Sequence, residues 1–118
     1  MNPKTKKLKI KDIIERATAV SSDDGDTVYR NIVDCINDNM IVELDFSEIT
    51  ILTTAFLNSA IGQLYNDFSS EKLNKTIVFK NIANEDKILF KKVTERAREY
   101  FKDKKGFEDS ANDAIYGK

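Results

Sequence analysis

The chain has 118 residues, 33% of them charged and 41% hydrophobic, with a formal net charge of -1. That length fits one domain with its own core, and the near-neutral charge supplies no basic field of the kind that attracts nucleic acid. Histidine is absent and Cys35 is the one cysteine, which excludes Ser-His and Cys-His nucleophile systems, an internal disulfide and a zinc site of ordinary type.

No apolar run approaches the roughly 18 residues that read as a membrane span. The start MNPKTKKLKI carries positive charge but no apolar stretch follows it, so no secretory leader is expected. A lone cysteine suits a reducing compartment, and the expected location is the cytoplasm.

Residues 1–7 are polar and lysine-rich and read as a tail. LKIKDII, with Leu8, Ile10, Ile13 and Ile14, reads as an edge strand, and Ala17 to Val20 as a second short strand. SSDDGD, Ser21 to Asp26, reads as a loop, with Gly and Asp supplying the turn chemistry. Asp26 or Thr27 can cap a helix whose apolar face is Val28, Ile32, Cys35 and Ile36.

Met40 to Phe46 is rich in apolar and β-branched residues and reads as a central strand. Ser47 to Leu52 is read as a connection. A second helix is expected from Thr53 to Ser69, burying Phe56, Leu57, Ala60, Ile61, Leu64, Tyr65 and Phe68, with Gly62 allowing close approach to the sheet. Lys75 to Asn81 reads as a strand. Glu85 to Lys102 reads as a third helix, acidic at its start and basic at its end, with Gly106 closing it. The remaining residues, 106–118, read as a tail.

Strands alternating with helices predict an α/β layered sandwich: a sheet of three to four strands, mixed or parallel, packed by three helices. One domain is expected over 1–118, with its core at about 8–103.

The candidate chemistry is sparse. Three acids around Gly25 do not meet the EF-hand register, so turn chemistry is preferred there and no metal site is expected. Lysines and arginines of the third helix alternate with Glu95, Glu99 and Asp103, the pattern of a solvated face rather than of a nucleic-acid surface. Cys35 falls on an apolar face and reads as a small hydrophobe. Asp45, without histidine or a second close aspartate, reads as an acceptor for loop N–H groups rather than a catalytic group. No enzyme activity and no cofactor are expected.

The specific signal is VELDFSEITILTTAFLNSAIGQLYNDF, Val42 to Phe68. A strand here feeds a helix through a hydroxyl-rich corner. Thr53 can cap the helix and Thr54 occupies its first turn, where free N–H groups and the dipole favour an anion.

Leu44, Asp45, Phe46, Ser47, Ile49, Thr53, Thr54 and Phe56, followed by Gly62, Leu64 and Tyr65, resemble the corner and helix of the STAS-like domain family of unknown function (DUF4325). Its hallmark is LDF-S-G-V-x-x-(S/T)-(S/T)-x-F, then G-x-L-Y. That family is similar to the anti-sigma factor antagonists, whose sandwich carries a serine at this corner. A GHKL-type ATPase or kinase phosphorylates that serine and the complex breaks. The resemblance implies a STAS-like sandwich and a bacterial, regulatory, protein-binding role. Ala55 stands at the position matching the phosphorylated serine, and Phe56 replaces the usual glycine. Thr54 and Thr53 are then the candidate phosphorylation sites, and Ser47, Glu48, Thr53, Thr54, Phe56 and Leu57 the candidate partner contacts. The alternative is a constitutive scaffold or homo-oligomerising subunit of a bacterial transcription or defence system.

Overall fold

Val42 and Leu44 alternate with half-buried neighbours and are themselves fully buried, so Ile41–Asp45 forms the central strand. A computed structural model of the chain describes the backbone of residues 4–116 and the side chains of residues 4–101. The order is β1 (Thr5–Lys9), α1 (Ile10–Ile14), β2 (Thr18–Ala19), α2 (Ser22–Asn37), β3 (Ile41–Asp45), β4 (Ile51–Leu52) and α3 (Thr54–Leu57). A π-helical turn at Asn58–Gly62 leads into α4 (Leu64–Asp67), α5 (Ser70–Thr76), β5 (Ile77–Lys80) and α6 (Asn84–Tyr116).

β1, β3 and β5 form a three-stranded parallel sheet in the order β1-β3-β5, with Leu8 level with Leu44 and Leu44 level with Phe79. β2 and β4 form a separate parallel pair, Thr18 with Ile51 and Ala19 with Leu52. The protein is therefore the expected α/β sandwich, with its sheet parallel throughout and divided in two. Leu44, Ile10, Ile32, Phe56, Leu57, Ile61 and Leu64 lie in one core between the sheet and the helices. Phe46, Phe79 and Phe90 extend it to the carboxyl end of the sheet, with Phe90 edge-on to Phe46 at 5.0 Å and steeply tilted to Phe79 at 5.3 Å. Cys35 is buried, as its helical spacing predicts, and burial pushes its thiol pKa up.

Several boundaries differ from the sequence reading. The first strand starts at Thr5, inside the expected tail, because β3 supplies a parallel partner along all five of its residues. It stops at Lys9: Ile10 and Ile14, four residues apart, put their side chains into the core from one helical turn. Glu15, with φ 59, then ends that turn in the left-handed conformation.

Ser21 to Asp26 is a helix start rather than a loop. Ser21 Oγ accepts from the Asp24 amide at 3.1 Å, so α2 begins at Ser22, ahead of the predicted caps at Asp26 or Thr27. Gly25 is needed for contact: a Cβ there would lie 2.5 Å from the Phe56 carbonyl oxygen and 2.7 Å from Ser59 Cβ. Gly62 faces α6 and not the sheet, with Ala97 Cβ 3.9 Å from where its own Cβ would be.

The helix expected over Thr53 to Ser69 is broken. A wider turn at Asn58–Gly62, closed by Gln63 N–H donating to the Asn58 carbonyl at 3.1 Å, separates α3 from α4. Phe68 turns extended and Ser69 caps α5, a helix that the sequence reading does not contain. Gly106 does not end α6, whose backbone runs on to Tyr116. The basic side chains from Lys102 onward lie outside the described residues; Lys91, Lys92, Arg96 and Arg98 are exposed, as a solvated face requires.

Candidate functional site

The corner begins where β3 ends. Asp45 Oδ1 accepts from the Ser47 amide at 2.9 Å and from Asn81 Nδ2 at 2.8 Å. The hydrogen bond from Asn81 is the main reason the Asp45 carboxyl sits below its ordinary range, with the Ser47 amide adding to it. Asp45 is thus the acceptor the sequence reading preferred. It ties the turn to the end of β5, and Phe46 N–H donating to the Lys80 carbonyl at 3.0 Å makes a second tie.

Ile49 N–H closes the turn onto the Phe46 carbonyl at 3.3 Å. Glu48 occupies it with φ 63, a conformation that glycine adopts most readily. Its carboxylate meets Lys9 Nζ at 2.5 Å and Lys11 Nζ at 3.6 Å, lying between β1, α1 and the turn. The hydrogen bond from Lys9, then the charge of Lys11, lower the Glu48 pKa, and Glu48 raises that of Lys9.

Beyond the turn the chain is stitched to β2. Thr50 N–H donates to the Ala17 carbonyl at 2.8 Å and Thr53 N–H to the Ala19 carbonyl at 3.1 Å. The short strand β4 is missing from the sequence reading because two residues carry no periodicity; its partner β2 defines it.

Thr53 is the N-cap of α3. Its hydroxyl accepts from the Phe56 amide at 3.3 Å and donates to the Val20 carbonyl at 2.9 Å. Thr53 is half-buried, whereas Thr54 and Ala55 are exposed on the first turn. Ser47 and Glu48 thus sit in the turn after β3, beside β1 and α1, and Thr53 and Thr54 at the start of α3, beside the end of β2.

Phe56 and Leu57 do not belong to that surface. Both are 0% exposed and fill the core beneath it. The first turn of α3 points these two inward as it points Thr54 and Ala55 outward, in line with the buried stripe that helical spacing predicts and against the partner contacts that the resemblance implies. The exposed apolar side chains beside the corner are instead Val20 and Ile51, at 40% and 54%. Val20 precedes the α2 cap and its carbonyl binds Thr53, so the starts of α2 and α3 lie side by side. The hydroxyl pair Ser21-Ser22 supplied a signal for this second helix start, hidden by the loop-like acids and glycine that follow.

Among the described residues no helix is long and apolar enough to cross a membrane, and no group of three or more acidic or cysteine side chains is placed to hold a metal ion. No curated protein and no solved structure matches the chain significantly. A family model described as a STAS-like domain of unknown function (DUF4325) matches residues 24–87. That match runs from the first turn of α2, through the corner, to the start of α6, and spans more than half of the chain. With the parallel sheet and the strand-to-helix corner in place, the chain belongs to the STAS-like domain family of unknown function.

Proposed function

We propose that the chain is a non-catalytic, cytoplasmic regulatory domain that binds a protein partner, an ATPase or kinase of the GHKL type, through the corner 47–57, and that Thr54 is the hydroxyl on which such a kinase acts. The observation that carries this reading is the exposure of Thr54 at the start of α3 while the neighbouring hydroxyl of Thr53 is engaged on both sides. Phosphate on Thr53 would break the helix cap. Phosphate on Thr54 would add about -1.5 to -2 charge to the first turn, a place the helix dipole tolerates. The fold would persist and the altered surface would act on the partner. Val20 and Ile51 give that surface its apolar contact.

A second reading is favoured by Ala55, which has no hydroxyl where the antagonists carry their serine. In it the same face is a constitutive scaffold or self-associating surface. Affinity capture from the native host, with intact-mass measurement of the recovered bait, separates the two. The switch reading expects a GHKL-type ATPase in the eluate and a phosphate-sized mass gain kept in Thr53→Ala and lost in Thr54→Ala. Equal capture by wild type and the Thr53→Ala/Thr54→Ala double variant, without mass gain, overturns it in favour of the scaffold.

A further inference from the structure

A cavity of about 350 Å³ opens beside the corner, at the carboxyl ends of β3 and β5. A volume of this order fits a small ligand or a large side chain. Its apolar wall is formed by Phe46 and Phe90, which are 4% and 7% exposed, with Ile82 beside them. Its polar wall is Ser47, Asn81 and Asp86.

Every group of the polar wall can accept a hydrogen bond, and Asp86 adds a negative charge. Asn81 gives one N–H of its amide to Asp45 and keeps its carbonyl oxygen as an acceptor beside its second N–H. The Ser47 hydroxyl can accept, and the Asp86 carboxylate can do nothing else when ionised. Glu48 also reaches the rim, but Lys9 and Lys11 neutralise it, whereas no cation lies within ion-pair distance of Asp86 among the described residues. An anion is disfavoured even though α6 starts here, because Glu85 and Asp86 already occupy its first turn.

We propose that this cavity receives an arginine side chain of the protein that docks on the corner. A guanidinium brings several N–H donors in one plane to the acceptors of Ser47, Asn81 and Asp86. Its aliphatic stem lies against Ile82, and its face meets the aromatic wall. Lysine, with a compact ammonium, matches spread acceptors and aromatic faces less well. A partner is the source because Ser47 and Glu48 belong both to the cavity rim and to the corner surface, so one docked chain covers both. The inference rests on the corner being a protein-binding face.

The test is a titration of the full ¹⁵N-labelled chain with N-acetyl-arginine amide and, in parallel, with its neutral isostere N-acetyl-citrulline amide. The arginine compound is expected to shift the amide signals of Ser47, Asn81 and Asp86. The citrulline compound should bind about tenfold more weakly, as loss of a charge-assisted hydrogen bond implies. Asp86→Asn should weaken the arginine compound by a similar factor while the remaining spectrum stays in place. Equal binding of both compounds, shifts confined to other residues, or no shift at the solubility limit overturns the proposal. The capture experiment repeated with Asp86→Asn bait separates this inference from the one beneath it. Partner capture unchanged by Asp86→Asn but lost in Thr54→Glu, which puts the charge of a phosphate on the corner, would refute the arginine cavity and leave the docking corner. No partner on wild-type bait would refute the docking corner, and with it the arginine's source.

Discussion

Asn81 donates to Asp45 across 2.8 Å and so joins the carboxyl ends of β5 and β3. Asn81 has φ 60, which its short polar side chain tolerates better than most. Asn81→Ala loses both the hydrogen bond and this tolerance, and is expected to destabilise by about 1–2 kcal/mol in urea unfolding. Asn81→Gly loses only the bond and should fall between wild type and alanine. The Asp45 pKa is lowered in the folded state, so its contribution is present above the ordinary aspartate range and is lost as pH falls through its lowered folded value. The difference between wild type and Asn81→Ala should therefore narrow in unfolding curves recorded below about pH 4.

Glu48 sets a backbone penalty against two exposed ion pairs. Its φ of 63 costs a non-glycine residue about 1–2 kcal/mol, while the exposed pairs with Lys9 and Lys11 are screened by solvent and contribute little. The backbone term is the larger. Glu48→Gly is expected to leave stability unchanged or raise it by up to about 1 kcal/mol, and Glu48→Val to lower it. Marked destabilisation by glycine would show that the lysine pairs matter more than exposed pairs usually do.

The two interior helical glycines should respond oppositely to alanine. At Gly25 the nearest obstacle is a backbone oxygen 2.5 Å from the new Cβ, so α2 or α3 must move. The overpacking, about 1–3 kcal/mol, outweighs the roughly 1 kcal/mol of helix propensity. At Gly62 the nearest atom, Asn58 Oδ1, is 3.7 Å away, an ordinary contact. Gly62→Ala should stabilise by up to about 1 kcal/mol. Thermal melts of the two variants, shifted in opposite directions, check both.

Tyr29 donates its hydroxyl to Asp67, which pins α2 to α4. That hydrogen bond, followed by burial, pushes the Tyr29 pKa up to about 12. A raised folded-state pKa means that the contribution is fully present below the unfolded tyrosine value and is lost as pH rises through the folded one. The window is therefore about pH 10 to 12. Tyr29→Phe should destabilise by about 0.5–1.5 kcal/mol at neutral pH, with the difference closing across that window. Ultraviolet titration of the folded protein should lose a late-ionising phenol in the variant.

The central strand, the α2 core face, the Thr53 cap and the hydroxyl-rich corner follow from residues near one another in the chain. Val42 and Leu44 alternate, Val28, Ile32 and Ile36 recur at helical spacing, and a threonine precedes an apolar run. Each is a local pattern with a local cause. Absent histidine and near-zero charge are compositional and need no fold at all.

What needed the tertiary structure is whatever depends on a distant partner. Thr5–Lys7 become strand because β3 lies alongside, and β4 exists because β2 does. Gly25 is explained by the carbonyl of Phe56, thirty-odd positions away in the chain. Periodicity puts Phe56 and Leu57 on a buried stripe while the family resemblance makes them partner contacts; the packing of α3 decides for the core and leaves Thr54 outside. The acceptor-lined cavity forms from the turn after β3 and the start of α6, and no local pattern could assemble it. Periodicity carries the information of one element's own geometry; register, close approach and cavities arise between elements and are decided by packing.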